Sequence, residues 1–288
     1  MKLAIGLSIA ASALWAQVED TQTITKRFAV SGAVPEIVVS IISGGIRVTA
    51  HDSNEVVLNA KAYYRADDAA QLAELKKNAR FDGDQQGNNV WIGVEYEGQW
   101  DNGWRRPREY GWRGKTPPER GKTQRGWKFK HDVELRVPRN AHLKLSTVNE
   151  GEIAVDGVAG EFSYNNVNGG IDVKGANGFG RAHTVNGPVS LSFGKNPGGA
   201  LSVKTINGKV RVGLMNGLNA NVKLKTMNGR MYSDFSMLAN AASPAAMEER
   251  NGKRIWKMNG FSNGRIGNGG AEIAIETLNG EIQILENR

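Results

Sequence analysis

A four-residue pattern, Thr-x-Asn-Gly, recurs through the C-terminal half of this 288-residue chain. It is complete at 184–187, 205–208, 226–229 and 277–280, has Asn in place of Thr at 166–169, and carries one extra residue at 147–151. The first five asparagines are at positions 149, 168, 186, 207 and 228, which gives steps of 19, 18, 21 and 21. A period of roughly 20 residues is typical of stacked or meandering β-units. The repeat thus constrains the architecture of the chain more than its chemistry.

Apolar and polar residues alternate around each asparagine. Positions −1, +3 and +5 are apolar, as in Ile206, Val210 and Val212, whereas positions +2 and +4 are polar or small, as in Lys209 and Arg211. This alternation predicts a strand with one buried and one solvent-exposed face, so we expect the three apolar positions to form buried columns. A second glycine-marked turn and strand, such as 199–204, follows half a period later. Each unit is therefore predicted to hold two short strands.

Two all-β folds are compatible with these turns, because Asn and Gly both tolerate positive φ. In an antiparallel β-meander, Asn-Gly would form tight hairpin turns. In a single-stranded parallel β-solenoid, or β-helix, with rungs of about 20 residues, equivalent asparagines would stack about 4.8 Å apart and hydrogen-bond as a ladder. The solenoid gives a reason to keep asparagine itself, so we favour it. The predicted structural turn ladder consists of Asn149, Asn168, Asn186, Asn207, Asn228 and Asn279.

The remaining segments are predicted from their own periods. Residues 21–62 read as strands, with 43–48 as a degenerate copy of the repeat, and 67–80 as one short helix capped by Asp67 or Asp68. Strands are also expected over 89–96 and 131–138. Residues 98–130 have no period and form a predicted long irregular insertion, and 235–262 form an excursion. Within the excursion, 239–250 suit a helix or a loop, and 254–257 suit a strand.

The N-terminus predicts export. Lys2 is followed by an apolar run from Leu3 to Trp15, and Ala16 offers a small residue for cleavage. We therefore expect a signal peptide over 1–16, a single domain over 17–288, and a periplasmic or cell-surface location. The chain contains no cysteine, which excludes disulfides and thiolate metal sites.

The net charge of +8 is concentrated in one segment. Residues 98–130 hold ten Lys or Arg and three Asp or Glu, a net of +7. Interleaved tryptophan and arginine bind anions through charge and stacking, so this insertion is the candidate ligand-binding loop. The alternative is a disordered or self-packed insertion whose tryptophans cover the flank of the solenoid. Its proposed partners are an anionic glycan, the envelope surface or a protein, and nucleic acid is not expected for an exported chain. The candidate residues are Trp100, Trp104, Arg105, Arg106, Arg108, Trp112, Arg113 and Trp127.

The repeat offers no evident catalytic set. Asp156, Glu161 and Asp172 are isolated carboxyl groups, and the four histidines lack the spacing of metal ligands. We therefore expect no cofactor, no metal and no enzymatic activity, and interpret the chain as an exported structural or interaction protein. Two alternatives stay open: a carbohydrate-active enzyme on a β-helix scaffold, and a periplasmic partner of an envelope signalling system. The sequence leaves the ligand and the oligomeric state unspecified.

The Thr-Val-Asn-Gly unit, the late Ile-Gly-x-Gly-Gly segment at 266–270 and the signal peptide together resemble the bacterial putative-adhesin family of β-strand repeats, a domain of unknown function. The resemblance covers about 141–288 and, more weakly, 28–62. It implies a β-helix-like fold on the outer side of the cytoplasmic membrane. The insertion at 98–130 is not part of that family's pattern.

Overall fold

The computed structural model describes residues 17–31, 34–95, 127–239, 246–250, 253–257 and 262–287, so the predicted signal peptide over 1–16 lies outside the described residues. The described residues form 23 strands and one α-helix, so the protein is an all-β structure. The elements are β1 Val18–Ala29, β2 Glu36–Ser40, β3 Ile46–His51, β4 Glu55–Ala66, α1 Ala69–Asn78, β5 Arg80–Gln86, β6 Asn89–Glu95, β7 Lys128–Pro138, β8 His142–Ser146, β9 Ile153–Asp156, β10 Phe162–Asn165, β11 Ile171–Ala176, β12 Gly180–His183, β13 Val189–Phe193, β14 Leu201–Lys204, β15 Val210–Met215, β16 Ala220–Asn228, β17 Met231–Ser233, β18 Met237–Ala239, β19 Ala246–Arg250, β20 Lys253–Lys257, β21 Ser262–Ile266, β22 Ala271–Asn279 and β23 Ile282–Asn287.

The strands assemble into two large mixed sheets. Sheet A has the order β1-β4-β7-β3-β9-β11-β13-β15-β23-β17, and sheet B has the order β18-β21-β16-β22-β14-β12-β10-β8-β2-β6-β5. Strands of the repeat alternate between the sheets and pair in parallel with the equivalent strands of neighbouring units, as β11 does with β9 and β13. Each unit therefore holds two short strands, as predicted, and contributes one of them to each sheet. An antiparallel meander is wrong for the repeat, because its hairpins would pair consecutive strands of one sheet.

One strand of sheet B and the sheet A strand that follows it form a layer, and eight layers stack on one another. Their spatial order is β6/β7, β2/β3, β8/β9, β10/β11, β12/β13, β14/β15, β22/β23 and β16/β17. This order departs from chain order at both ends. The β2/β3 layer lies inside the later β6/β7 layer, and the last layer of the chain, β22/β23, lies between β14/β15 and β16/β17.

Aliphatic columns between the two sheets form the main core. Positions +3 and +5 are buried in the interior layers, as in Val210, Val212, Ile282 and Ile284. Position −1 was predicted to be buried, and this is wrong: Ile206 and Leu278 are each 37% exposed. The chain bends between the two sheets at this point, and the threonine at −2 takes the inward position instead. Thr205 and Thr277 are each only 1% exposed.

A second, smaller core lies under helix α1. The helix begins at Ala69 after Asp68, whose Oδ1 accepts a hydrogen bond from the Gln71 backbone N–H at 2.8 Å. Leu72 and Leu75 are buried against β4, and Trp127 and Phe129 pack on the same cluster. The irregular insertion was predicted to extend to residue 130, and this is wrong at its end, because β7 already begins at Lys128. Helix α1 and the β5–β6 pair therefore lie at the end of the stack that the β6/β7 layer forms.

The excursion at 235–262 contains strands, and the helix considered over 239–250 is wrong at 246–250. Strands β18 and β21 pair antiparallel, with Met237 opposite Ile266, and β19 and β20 pair antiparallel, with Arg250 opposite Lys253. In both pairs the residue numbers of the two partners add up to 503, which means that the two strand pairs have the same hairpin register.

Among the described ranges, no helix is long and apolar enough to cross a membrane.

Candidate functional site: the corner edge of the stack

The Thr-x-Asn-Gly segments all lie at the same place in their layers, between the sheet B strand and the sheet A strand that follows. Because the layers are parallel, these corners line up along one edge of the stack, which we call the corner edge. Ser43 occupies the asparagine position in the β2/β3 layer and bridges to Asn149. The degenerate copy predicted at 43–48 therefore belongs to the stack.

The exposed asparagine side chains form a continuous ladder along this edge. In each step Nδ2 of one asparagine donates to Oδ1 of the asparagine in the adjacent layer, at 2.7 to 3.0 Å. The order in space is Asn149, Asn168, Asn186, Asn207, Asn279 and Asn228. The ladder thus follows the order of the layers and places Asn279 ahead of Asn228.

The threonines form a second, buried ladder behind the first. Thr184 Oγ1 donates to the Gly169 carbonyl oxygen at 2.8 Å, and Thr205 Oγ1 donates to that of Gly187 at 3.0 Å. Where threonine is replaced by Asn166, the amide Nδ2 reaches the Gly151 carbonyl oxygen at 2.9 Å instead. Each layer therefore satisfies a glycine carbonyl of its neighbour, which a valine of the same shape would leave without its side-chain donor.

Glycine is required at the corners because neighbouring layers approach closely. A Cβ on Gly187 would overlap the carbonyl oxygen of Gly169, and a Cβ on Gly208 would overlap that of Gly187. The expectation of positive φ is wrong at the corner glycines Gly151, Gly169, Gly187, Gly208, Gly229 and Gly280. Positive φ occurs at Gly44 of the degenerate copy and at Glu150, the extra residue of the corner at 147–151. The corner glycine is therefore a packing requirement between layers.

An apolar column lies outside the asparagine ladder, formed by the −1 residues. Val148, Val167 and Val185 are half-buried, and exposure rises toward the far end, where Met227 is 63% exposed. Sequence reasoning assigned this column to the core. The residue at position −2 is polar in every unit and takes the inward position just before the bend. This polar residue is the sequence signal that could have predicted an outward side chain at position −1.

The described ends of both excursions lie at this same edge. The end of β6 and the start of β7 lie there because β6 and β7 pair in parallel with β2 and β3, which flank the corner at Ser43. At the other end, Ser262 of β21 lies opposite Leu224, so the start of β21 and the end of β18 face the corner edge. The asparagine ladder therefore lies between the described ends of the two excursions, since β6 and β21 are eight strand steps apart in sheet B, about 38 Å at ~4.8 Å per step.

Most of the candidate ligand-binding loop lies outside the described residues: Trp100, Trp104, Arg105, Arg106, Arg108, Trp112 and Arg113. Trp127 is described and is half-buried. Its indole Nε1 donates to Gln71 Oε1 at 3.1 Å, and its ring packs on the α1 cluster. Trp127 therefore anchors the returning chain to the helix.

Charges on the flat faces pair with neighbouring strands or with residues of the same strand. Lys144 Nζ lies 2.8 Å from Glu36, and Lys209 Nζ lies 2.8 Å from Glu281. Asp172 has Lys174 at 3.6 Å on its own strand. Asp172 and Asp156 lie on sheet A, and Glu161 directly precedes β10 of sheet B. The structure thus separates Glu161 from the other two candidate carboxyl groups.

The histidines have separate environments. His183 Nε2 lies 3.1 Å from Ser202 Oγ, and His51 Nε2 lies 2.9 Å from the Glu55 carbonyl oxygen. His131 is fully buried among Phe81, Phe129 and Tyr64, and this burial lowers its pKa to about 4. In the part of the chain that the structure describes, no three His, Asp or Glu residues are grouped as metal ligands.

No family model and no curated protein matches the chain. Among solved structures, it is similar to a putative cell adhesion protein from Clostridium sporogenes, with 9% identity over 93% of this chain and 100% of that chain, and a TM-score of 0.43. It is also similar to a putative adhesin from Bacteroides fragilis (10% identity, 92% and 97% covered, TM-score 0.31) and to a putative lipid binding protein from Parabacteroides distasonis (8% identity, 92% and 97% covered, TM-score 0.24). At these TM-scores the likenesses assign no family.

Proposed function

We propose that the chain is an exported, non-enzymatic interaction module of the cell envelope, built as a two-sheet parallel β-solenoid. The observation that carries this proposal is the common origin of both excursions at the corner edge, at the two ends of the asparagine ladder. On the sheet faces several charges are paired across neighbouring strands, as Lys144 and Glu36 are. The corner edge, in contrast, presents exposed amides and an apolar column that becomes exposed toward its far end, and the most basic segment of the sequence follows β6, whose end lies at this edge.

An anionic glycan of the envelope is the partner that fits this edge best. Between Gly98 and Gly126 the insertion holds eight Lys or Arg and three Asp or Glu. Its tryptophans supply flat surfaces for stacking on sugar rings, and its cations supply long-range attraction. The asparagine ladder offers exposed amides in a row, spaced by the ~4.8 Å layer repeat. An extended polymer can contact such a row along its length.

Replacement of the insertion tests this proposal. Residues 98–125 are exchanged for a Gly/Ser linker that leaves Trp127 on helix α1, and binding to alginate, a polyuronic acid, is measured with dextran as a neutral control. We expect at least a tenfold loss of alginate binding and little binding of dextran by either protein. A variant with Trp100, Trp104 and Trp112 changed to Ala separates stacking from charge. Equal alginate affinity of all three proteins would contradict a glycan-binding role for the insertion.

Export is tested separately. We expect the mature chain to begin at Gln17 in an envelope or secreted fraction, as read by mass spectrometry of its N-terminal peptide. Recovery of the chain with Met1 or Lys2 intact in the cytoplasm would contradict the proposed export.

A further inference from the structure

The last layer of the chain lies between two layers that precede it in sequence. Strand β22 pairs in parallel with β14 on one side and β16 on the other, and β23 pairs in parallel with β15 and β17. We call residues 271–287 the wedge. The corners continue through it, because Asn279 donates to Asn207 at 2.7 Å and accepts from Asn228 at 2.7 Å.

Without the wedge, the two layers around it match each other in register. The wedge residues Ile273, Ile275 and Ile282 each have one partner on either side, so their removal would place Leu201 beside Val222, Val203 beside Leu224 and Val210 beside Met231. The corners would also match, because the step in sequence from Asn207 to Asn228 equals the step from Asn186 to Asn207. Apolar pattern and corner chemistry therefore permit direct stacking in chain order.

Charge distinguishes the two stacking orders. Glu276 lies between Lys204 and Lys225, 3.1 Å from the Nζ of each, and Glu281 lies 2.8 Å from Lys209 Nζ. Direct stacking would place Lys204 beside Lys225. Like charges on neighbouring strands are destabilising, so the acidic wedge converts a repulsive contact into two attractive ones.

The second cationic pair is at the corner. The pKa of the Glu281 carboxyl lies below its ordinary value. Lys209 is the main cause, and the nearby guanidinium of Arg230 also contributes. In direct stacking, Lys209 would lie beside Arg230. Burial raises the pKa of Glu276, but the ammonium groups of Lys204 and Lys225 outweigh it and bring that pKa below its ordinary value. Glu276 and Glu281 are thus both stabilised in their charged form by the layers around them.

Burial favours the same order. The wedge carries isoleucine at its four inward apolar positions, and Ile282 and Ile284 are fully buried. The β16/β17 layer has Met231, 40% exposed, and Ser233 at the positions equivalent to these two. Placing the wedge inside and the β16/β17 layer outside leaves the less apolar inward face at the end of the stack.

We propose that the wedge enters the stack after the β16/β17 layer has already stacked on β14/β15, so that the chain passes from a chain-order stack to the inserted one. β17 ends at Ser233, well before the wedge begins at Ala271, so the β16/β17 layer reaches β14/β15 through a shorter connection than the wedge does. A shorter connection costs less loop-closure entropy. The slot between the two cationic layers then selects an acidic strand pair with a Thr-x-Asn-Gly corner. The wedge is therefore selected by its charge and stabilises the stack once it is inserted.

Pairs of cysteines test this order, because the chain has none of its own. Position +4 faces outward, and Arg211 lies opposite Gln283, which lies opposite Tyr232. Arg211→Cys with Gln283→Cys reports the inserted order, and Arg211→Cys with Tyr232→Cys reports the chain-order stack. Neighbouring layers lie ~4.8 Å apart, within disulfide range, whereas two layer steps exceed the ~7 Å limit.

Two control pairs give the disulfide yields expected for adjacent layers and for layers two steps apart. Ser190→Cys with Arg211→Cys lies on neighbouring strands in both orders, and Asp172→Cys with Arg211→Cys is two layers apart in both. In full-length protein refolding from urea and quenched at intervals, we expect the 211–232 disulfide to appear early, at least fivefold above the 172–211 pair. The 211–283 disulfide should replace it as the main product when oxidation starts later. A 211–232 yield that never exceeds the 172–211 yield, while 190–211 forms normally, would overturn the proposal.

Charge reversal in the wedge gives an independent measurement. Glu276→Lys with Glu281→Lys is expected to raise the equilibrium 211–232 yield at least tenfold and to lower the 211–283 yield. Should the reversed chain not fold, the 190–211 pair would also fail to form, and the refolding series on the unreversed chain decides the question.

Discussion

The corner glycines show how a single hydrogen atom in place of a side chain sets the distance between layers. At Gly208 the neighbouring carbonyl oxygen of Gly187 occupies the volume that a Cβ would need, and at Gly280 the carbonyl oxygen of Gly208 does the same. These clashes involve backbone atoms of paired layers, so relaxation requires the layers to separate. The threonine and asparagine ladders at the same corner would be strained together.

Substitution of Gly208 is therefore expected to be severe. Gly208→Ala should lower the free energy of unfolding by at least about 3 kcal/mol, because tightly packed backbone has no room to relax. Gly198→Ala is the matched control, since a Cβ there meets nothing within 4 Å, and its effect should stay within about 0.5 kcal/mol. Urea unfolding followed by circular dichroism measures both. Similar midpoints for the two variants would contradict the close approach of layers.

His131 links the stability of the α1 end to pH. Its pKa is about 4 in the folded chain against an ordinary 6.5, so below pH 6.5 the unfolded chain binds the proton more readily. The stability that a neutral His131 contributes is complete above pH 6.5, falls as the pH drops from 6.5 to 4, and amounts to about 3 kcal/mol. His131→Phe should reduce this loss. An equal decline of the free energy of unfolding in both proteins between pH 6.5 and 4 would contradict the assignment.

At the scale of elements, helix α1 depends on its first turn. The sequence left Asp67 and Asp68 as alternative caps, and the structure assigns the cap to Asp68, while Asp67 Oδ1 accepts from Gln17 at 3.3 Å. Asp68→Ala should cost about 1 kcal/mol of stability through the lost hydrogen bond to Gln71 N–H. Asp67→Ala, the matched control, should cost less than half of that. Thermal unfolding of the two variants gives the comparison, and an equal loss would argue against the assigned cap.

Periodicity predicted much of the fold because its physical cause is local. The strands of the repeat, the short helix and the stacked asparagines follow from alternation, capping and turn chemistry within a few residues. The bend at the corner could not be predicted from alternation. Alternation places position −1 on the same face as position +3 only if the strand is straight between them. Ile206 and Leu278 therefore lie outside. The insertion was recognised by its composition, but the position of its flanking strands β6 and β7 at the end of the stack depends on the pairing of distant strands.

At the scale of the whole molecule, layer order is decided by contacts between residues far apart in sequence. Glu276 is paired with Lys204 of β14 and with Lys225 of β16, both of which precede the whole excursion at 235–262. The repeat pattern is nearly the same in every unit, so it permits several orders, and the pairing of charges across layers selects one. This is why the repeat predicted stacking and gave no indication that the last unit lies inside. Chain order is also broken at the other end of the stack, where the later β6/β7 layer covers β2/β3 from outside.

The central claim is the parallel stack with its last unit inserted, and the asparagine side-chain amides report it directly. Nuclear Overhauser contacts between these amides, measured on protein with specifically labelled asparagine, should follow the order 149, 168, 186, 207, 279, 228. We predict a contact between Asn207 and Asn279 and one between Asn279 and Asn228, with none between Asn207 and Asn228, which are two layer steps apart. A direct Asn207–Asn228 contact in the folded protein, or no amide contacts along the series, would contradict the account.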